Sequence, residues 1–277
     1  KLDFVITEIG GTVGDIESLP YIEAVRQLNW DMGKRSLVIH LTLVPYLEAS
    51  GELKTKPTQH SVKMLLENGV QPDIMVLRTQ YPLTEEVRKK VALFCNVDRN
   101  AVIESIDVPS IYEVPLKMQE EKLDEIVLQK LEAPLHEVPE LGPWKSILGK
   151  ISHPKYKTKI GLIGKYVELH DAYKSIQESL IHAGAVNDAA VEIDWVHSEE
   201  LTPENIPGRL ENLDAMLVAP GFGERGIDGK ILAARYAREN NVPYLGICLG
   251  MQIAVIEFAR NVLQYKNAHS RSEERRV

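Results

Sequence analysis

Gly246-Ile247-Cys248-Leu249-Gly250-Met251-Gln252 decides the reading of the second half of this 277-residue chain. An apolar run, Val242-Pro243-Tyr244-Leu245, leads into it, and Ile253, Ala254, Ile256 and Phe258 follow in an apolar helical pattern. Strand, tight turn, cysteine, helix is the order of a nucleophile elbow. Gly246 and Gly250 are expected where the backbone turns sharply and where the new helix passes close to the strand. The helix N-terminus aims N–H groups and a positive dipole end at the sulfur, and both favour thiolate. Cys248 is therefore a candidate for covalent attack on an amide carbon. The alternative is a buried structural cysteine in a βα turn.

With 44% hydrophobic residues the chain is long enough for a real core and suggests two domains. A net charge of −8 argues against a nucleic-acid surface, although local basic clusters can still grip phosphates. Cys95 and Cys248 form no CxxC pair, which argues against a zinc or disulfide framework. Cys95 follows Val91-Ala92-Leu93-Phe94 and reads as a packed core thiol. No apolar stretch reaches the roughly 18 residues of a membrane span. A soluble, reducing, cytoplasmic setting is expected. The chain opens at Lys1 directly into an apolar run and closes on a charged, aperiodic stretch over 270–277. A fragment of a longer protein is expected, with a frayed or foreign end.

Strand-like and helical runs alternate, which argues for mostly parallel sheets covered by helices. Strands are expected at Phe4–Thr7, Ser36–Leu43, Ile74–Arg78 and Ala101–Ser105. Helices are expected at about 18–29, with Ile22, Val25 and Leu28 inward, and at 58–68, with Val62, Leu65 and Leu66 inward. Thr84 reads as the N-cap of a third helix, to Phe94, with Glu85 and Glu86 in its first turn. Prolines and glycines between Leu131 and Tyr156 break periodicity and mark a linker. Beyond it come strands at 159–164, 191–196, 215–218 and 244–247, and helices at 172–183 and 230–239, with Thr202-Pro203 capping a short helix.

Glu8-Ile9-Gly10-Gly11-Thr12-Val13-Gly14-Asp15-Ile16-Glu17-Ser18 places three glycines in five residues after the first expected strand. At such a strand end, exposed N–H groups face the ligand edge of an open α/β sheet. Glu8 could hold magnesium there, and Asp15 and Glu17 could accept from ligand hydroxyl or amino groups; a plain glycine turn is the alternative. In Lys54-Thr55-Lys56-Pro57-Thr58-Gln59 the two lysines would share a face of an extended segment just before a helix, a site suited to polyphosphate. A solvated basic loop is the alternative. The glycines of Ala219-Pro220-Gly221-Phe222-Gly223 follow a strand and can supply an oxyanion N–H opposite the cysteine, with Leu249 N–H as the second donor. Gly161-Leu162-Ile163-Gly164-Lys165 lacks phosphate-loop spacing and reads as a strand-to-loop turn.

These motifs together resemble the CTP synthase family. EIGGTVGDIES (8–18), GELKTKPTQHSVK (51–63), LFCNV (93–97), GLIGKYVELHDAYKS (161–175), PGFGERGIDGK (220–230) and the cysteine segment (246–262) occur in family order over roughly residues 2–269. The resemblance implies a partial P-loop synthetase-like domain of the dethiobiotin synthetase type (1–133), an interdomain linker (134–156) and a partial class I glutamine amidotransferase-like domain (157–277). It implies amination of UTP to CTP with ATP, magnesium and glutamine, GTP as activator, CTP as inhibitor, and a homotetramer with nucleotide sites between subunits.

By position the resemblance implies Glu8 as a magnesium ligand and Asp15, Ile16 and Glu17 as CTP contacts. Lys54, Thr55, Lys56, Pro57, Thr58, Gln59 and Lys90 would contact UTP or CTP, and Ile106, Asp107 and Val108 would lie beside the ATP adenine. Gly221, Leu249, Gly250, Met251 and Gln252 would bind glutamine around the nucleophile Cys248. The family's phosphate loop and a further magnesium-binding aspartate would lie upstream of Lys1, and the triad histidine and glutamate downstream of Val277. His269 does not match the triad histidine, and this polypeptide alone is expected to be inactive. Two departures, Ala219-Pro220-Gly221 where many relatives have Pro-Gly-Gly and His170 where proline is common, remove no side chain of assigned chemistry. The competing readings are a free-standing class I amidotransferase subunit serving another acceptor and a non-enzymatic regulatory module.

Overall fold

The computed structural model describes residues 2–134 and 139–270. The chain divides into two compact units, Lys1–Leu141 and Gly142–Val277. Both are mixed α/β with parallel sheets, as the alternating pattern predicts. Part of the expected linker (135–138) and nearly all of the expected tail (271–277) lie outside the described residues.

The first unit contains helix α1 (Leu19–Met32), strand β1 (Ile39–Leu43), a two-stranded hairpin of β2 (Tyr46–Leu47) and β3 (Glu52–Leu53), α2 (Lys56–Glu67), β4 (Ile74–Thr79), α3 (Glu85–Cys95), β5 (Val102–Ile106), α4 (Val114–Glu120) and α5 (Leu123–Lys130). Its sheet has the order β1-β4-β5, all parallel. Central β4 is apolar and buried along nearly its whole length, as a strand covered on both faces must be. Val62 of α2 and Val91 and Cys95 of α3 pack on Met75, Leu77 and Val102 of the sheet. Cys95 is a packed core thiol, and burial pushes it up to about 11.

Several expectations need correction. Phe4–Thr7 forms no strand; Phe4, Val5 and Ile6 are exposed. A strand needs a neighbour for its backbone groups, and none of the described residues pairs with this segment. Ile22 is buried, but Leu28 and Leu66 face outward. Lys54 and Lys56 do not lie in one extended run, because Thr55 between them already has helical dihedrals (φ −88°, ψ −5°).

Thr84 does cap α3: its Oγ1 accepts from the N–H of Val87 at 3.3 Å. Thr84→Ala is expected to cost about 1 kcal/mol, read as faster amide exchange in the first turn of α3.

The second unit contains α6 (Gly142–Ser152), β6 (Tyr156–Gly164), α7 (Lys174–Val186), β7 (Ala189–His197), α8 (Ile206–Leu210), β8 (Ala215–Val218), α9 (Ile227–Glu239), β9 (Tyr244–Gly246) and α10 (Leu249–Asn261). Helix α6 occupies the stretch expected as linker: Pro143 sits at its second position, where a missing N–H costs nothing, and Pro154 lies past its end. Thr202 does not cap α8, whose N-cap is Asn205 and whose early proline is Pro207. The sheet order is β7-β6-β8-β9, all parallel. The chain leaves β6 first to one side and then to the other, so the carboxyl ends of β6 and β8 flank a topological switch point, where open α/β sheets bind ligands.

Candidate active site

Cys248 follows β9 and is the N-cap of α10. It has φ 53° and ψ −104°, outside the regions that L-residues prefer, and its side chain is exposed. The sharp turn thus rests on the cysteine itself, whereas neither Gly246 nor Gly250 has positive φ. Those glycines permit close approach instead. A Cβ on Gly246 would lie 2.3 Å from the carbonyl carbon of Gly250, and one on Gly250 would lie 2.1 Å from the carbonyl oxygen of Val218 in β8. The Tyr244 hydroxyl donates to the Gly250 carbonyl at 2.7 Å and ties the strand to the first turn of α10. Backbone strain of this kind costs on the order of 1–3 kcal/mol and clusters at reactive sites.

Gly221 lies beside this elbow. A Cβ there would sit 3.7 Å from Leu249 Cδ2 and 3.8 Å from Lys230 Nζ. The N–H groups of Gly221 and Leu249 have no acceptor among the described residues. Leu249 contributes only backbone here, since its side chain is fully buried against Ile253 and Ile227. Gly250 is buried, Met251 is exposed and Gln252 is half-buried.

Two lysines close the floor of the site. Lys165 follows β6 and donates to the Phe222 carbonyl at 2.6 Å across the switch point. Lys230 of α9 is completely buried and donates to the Ala219 carbonyl at 3.1 Å. Burial pushes Lys230 down to about 8, helped by the like charge of Lys165 and opposed by Cys248. Burial, then Arg225, lowers Lys165, and Glu199 opposes it. Sequence pattern assigns Lys165 no ligand role and does not single out Lys230. The available signal was register: Lys230 falls on the apolar stripe of Ile227, Ile231 and Ala234, where a solvated lysine has no place.

In the first unit Thr58 meets the carboxyl end of β1, and residues 106–108 follow that of β5. Lys56 opens α2, with Pro57 second, and both are exposed. Thr55 and Thr58 are buried; Thr55 Oγ1 accepts from Gln59 at 3.0 Å, and Thr58 Oγ1 meets Thr42 Oγ1 of β1 at 3.0 Å. Lys54 pairs with Glu52 and holds that carboxylate below its usual range, with a smaller contribution from the charge of Lys90 on α3. Ile106 ends β5, the Asp107 N–H donates to the Thr79 carbonyl at 2.8 Å, and half-buried Val108 follows. Arg78 pairs with Asp107 at 3.0 Å.

Asp15 is committed within its own loop, accepting from the N–H of Thr12 at 2.7 Å, and Ile16 and Glu17 are exposed. Gly14 abuts Met64 of α2, which sets this loop against the helix that Lys56 begins. Glu8 lies in the exposed segment before it. The described residues contain no group of three His, Cys, Asp or Glu side chains placed to hold a metal, so they do not build a magnesium site by themselves.

A family model described as CTP synthase N-terminus matches residues 1–133, and one described as glutamine amidotransferase class-I matches residues 168–277. Curated CTP synthases align along almost the whole chain. That of Cytophaga hutchinsonii is 63% identical over 98% of this chain and 50% of its own length. That of Christiangramia forsetii is 61% identical over 97% and 49%, and that of Bacteroides fragilis 60% identical over 98% and 51%. The chain spans about half the length of these relatives. A solved structure, the glutaminase domain of Trypanosoma brucei CTPS with bound acivicin, is 39% identical over 42% of this chain and 45% of that one, at a TM-score of 0.39. Both halves match in order, at about 60% identity across the join, and the chain belongs to the CTP synthase family.

Proposed function

We propose that this chain serves an ATP-dependent amination of UTP to CTP, with ammonia drawn from glutamine. The observation that carries the proposal is an exposed cysteine held at positive φ beside two N–H groups without acceptors. In this reading the Cys248 thiolate forms a C–S bond to the side-chain amide carbon of glutamine. The resulting oxyanion takes hydrogen bonds from Gly221 and Leu249. The C–N bond then breaks, ammonia leaves with an added proton, and water cleaves the thioester to glutamate and free thiol. Ammonia replaces a phosphorylated O4 at C4 of UTP.

Residues 1–133 belong to the synthetase part, 134–156 to an interdomain segment and 157–277 to the amidotransferase part. Lys54–Gln59 and Lys90 grip the nucleotide triphosphate, Asp15–Glu17 contact the pyrimidine nucleotide, and Ile106–Val108 lie beside the adenine of ATP. GTP as activator, CTP as inhibitor, a tetramer of the whole protein and a cytoplasmic setting complete the proposal, on the strength of family membership. Among the described residues no helix is long and apolar enough to cross a membrane. Glu8 offers one carboxylate toward magnesium.

Binding tests the reading directly. The chain is expected to bind UTP or CTP, and Lys56→Ala to weaken that binding about tenfold through loss of one phosphate contact. An electrophilic glutamine analogue is expected to label Cys248 and not Cys95. Labelling without nucleotide binding would favour a free-standing amidotransferase, and binding without labelling a regulatory module.

A further inference from the structure

We propose that Lys165 and Lys230 are positioning residues whose buried ammonium groups clamp the 219–222 loop from beneath and hold a positive field against the negative charge of the cysteine site. The inference rests on the reading of Cys248 as nucleophile and deepens it.

Four geometric facts support it. Lys230 is completely buried and Lys165 is 8% exposed, yet neither forms an ion pair with a carboxylate among the described residues. Unpaired buried cations are costly and persist mainly where they serve a site. Their hydrogen bonds go to the two ends of one loop, the carbonyls of Ala219 and Phe222. With both carbonyls drawn down onto the lysines, the N–H of Gly221 between them is left without an acceptor. The loop also lies between the ammonium and the elbow, since the Cβ position of Gly221 is 3.8 Å from Lys230 Nζ and 3.7 Å from Leu249.

The charged groups facing Lys230 are Lys165, from the end of β6, and Cys248, from the elbow. Those facing Lys165 are Arg225 and Glu199, which pair with each other at 2.6 Å. The local sum is positive. At neutral pH Lys230, at about 8, still carries its proton. Its field therefore acts on an anion in the site and not on a neutral molecule.

Alkylation of Cys248 by anionic iodoacetate and by neutral iodoacetamide separates field from architecture. Both reagents consume the same thiolate, so their rate ratio cancels the thiolate fraction and any general loss of access. In the full chain, with the labelled peptide read by mass spectrometry, Lys230→Met and Lys165→Met are expected to lower the iodoacetate-to-iodoacetamide ratio about tenfold. Lys230→Arg is expected to keep the ratio. The unmutated chain supplies a second measurement should a variant fail to fold: its ratio should fall between pH 7 and pH 9 as Lys230 loses its proton. A ratio unchanged by either route overturns the proposal while Cys248 remains reactive. A Cys248 inert to both reagents sinks the nucleophile reading and this inference together.

Discussion

Gly250→Ala is expected to destabilise the second unit by about 3 kcal/mol or more. The new methyl would sit 2.1 Å from the Val218 carbonyl oxygen, a backbone atom in a central strand that cannot rotate aside. The helix must then withdraw from β8, and the core of Leu249, Ile253 and Ile256 against Ile227 and Ile231 opens with it. Gly246→Ala should act alike, because its methyl meets the Gly250 backbone at 2.3 Å. Amide exchange of 215–218 and 249–253 measures the second unit alone. Protection lost by less than 1 kcal/mol in both variants would mean that the strand and helix tolerate separation. The effect also separates the roles within the motif: the glycines set the distance between helix and strand, and Cys248 carries the turn.

The same distinction explains what could be read from residues alone. Thr84 with Glu85 and Glu86 announces a helix start because the cap is local chemistry, satisfied within three residues. The Cys248 turn is legible because strand, glycine, cysteine and helix follow one another without interruption. Phe4–Thr7 was misleading because its apolar pattern promises a strand, while a strand is realised only by a pairing neighbour. Pro143 and Pro154 look like breaks in a linker; the first is a helix-start residue and the second lies beyond the helix end. The lysine floor was hidden for a different reason. Lys165 and Lys230 are 65 residues apart (230 − 165), and only the crossing of the chain from β6 to β8 brings both under one loop.

Lys230→Met is expected to stabilise the second unit by about 2 kcal/mol at pH 7, although it removes a residue of the proposed site. Burial lowers Lys230 from its ordinary 10.5 to about 8, so the folded state holds this proton less firmly than the unfolded chain. A difference of about 2.5 pH units corresponds to roughly 3 kcal/mol of penalty while both states are protonated. Methionine fills a similar volume without charge, and the Ala219 carbonyl loses its donor at a cost of about 1 kcal/mol. The sign with pH follows. Below pH 8 the full penalty is present. Between about 8 and 10.5 the unfolded chain binds more protons than the folded one, so the unmutated protein gains stability as pH rises. Above 10.5 both states are neutral and the penalty is gone. Exchange-derived stabilities of the two proteins should therefore converge from pH 7 to pH 10, with the variant ahead at the start. A variant less stable than the parent at pH 7 would show that the hydrogen bond to Ala219 outweighs the buried charge. Stabilisation together with a lost preference for iodoacetate would mean that the fold keeps a costly cation for the charge it presents to the site.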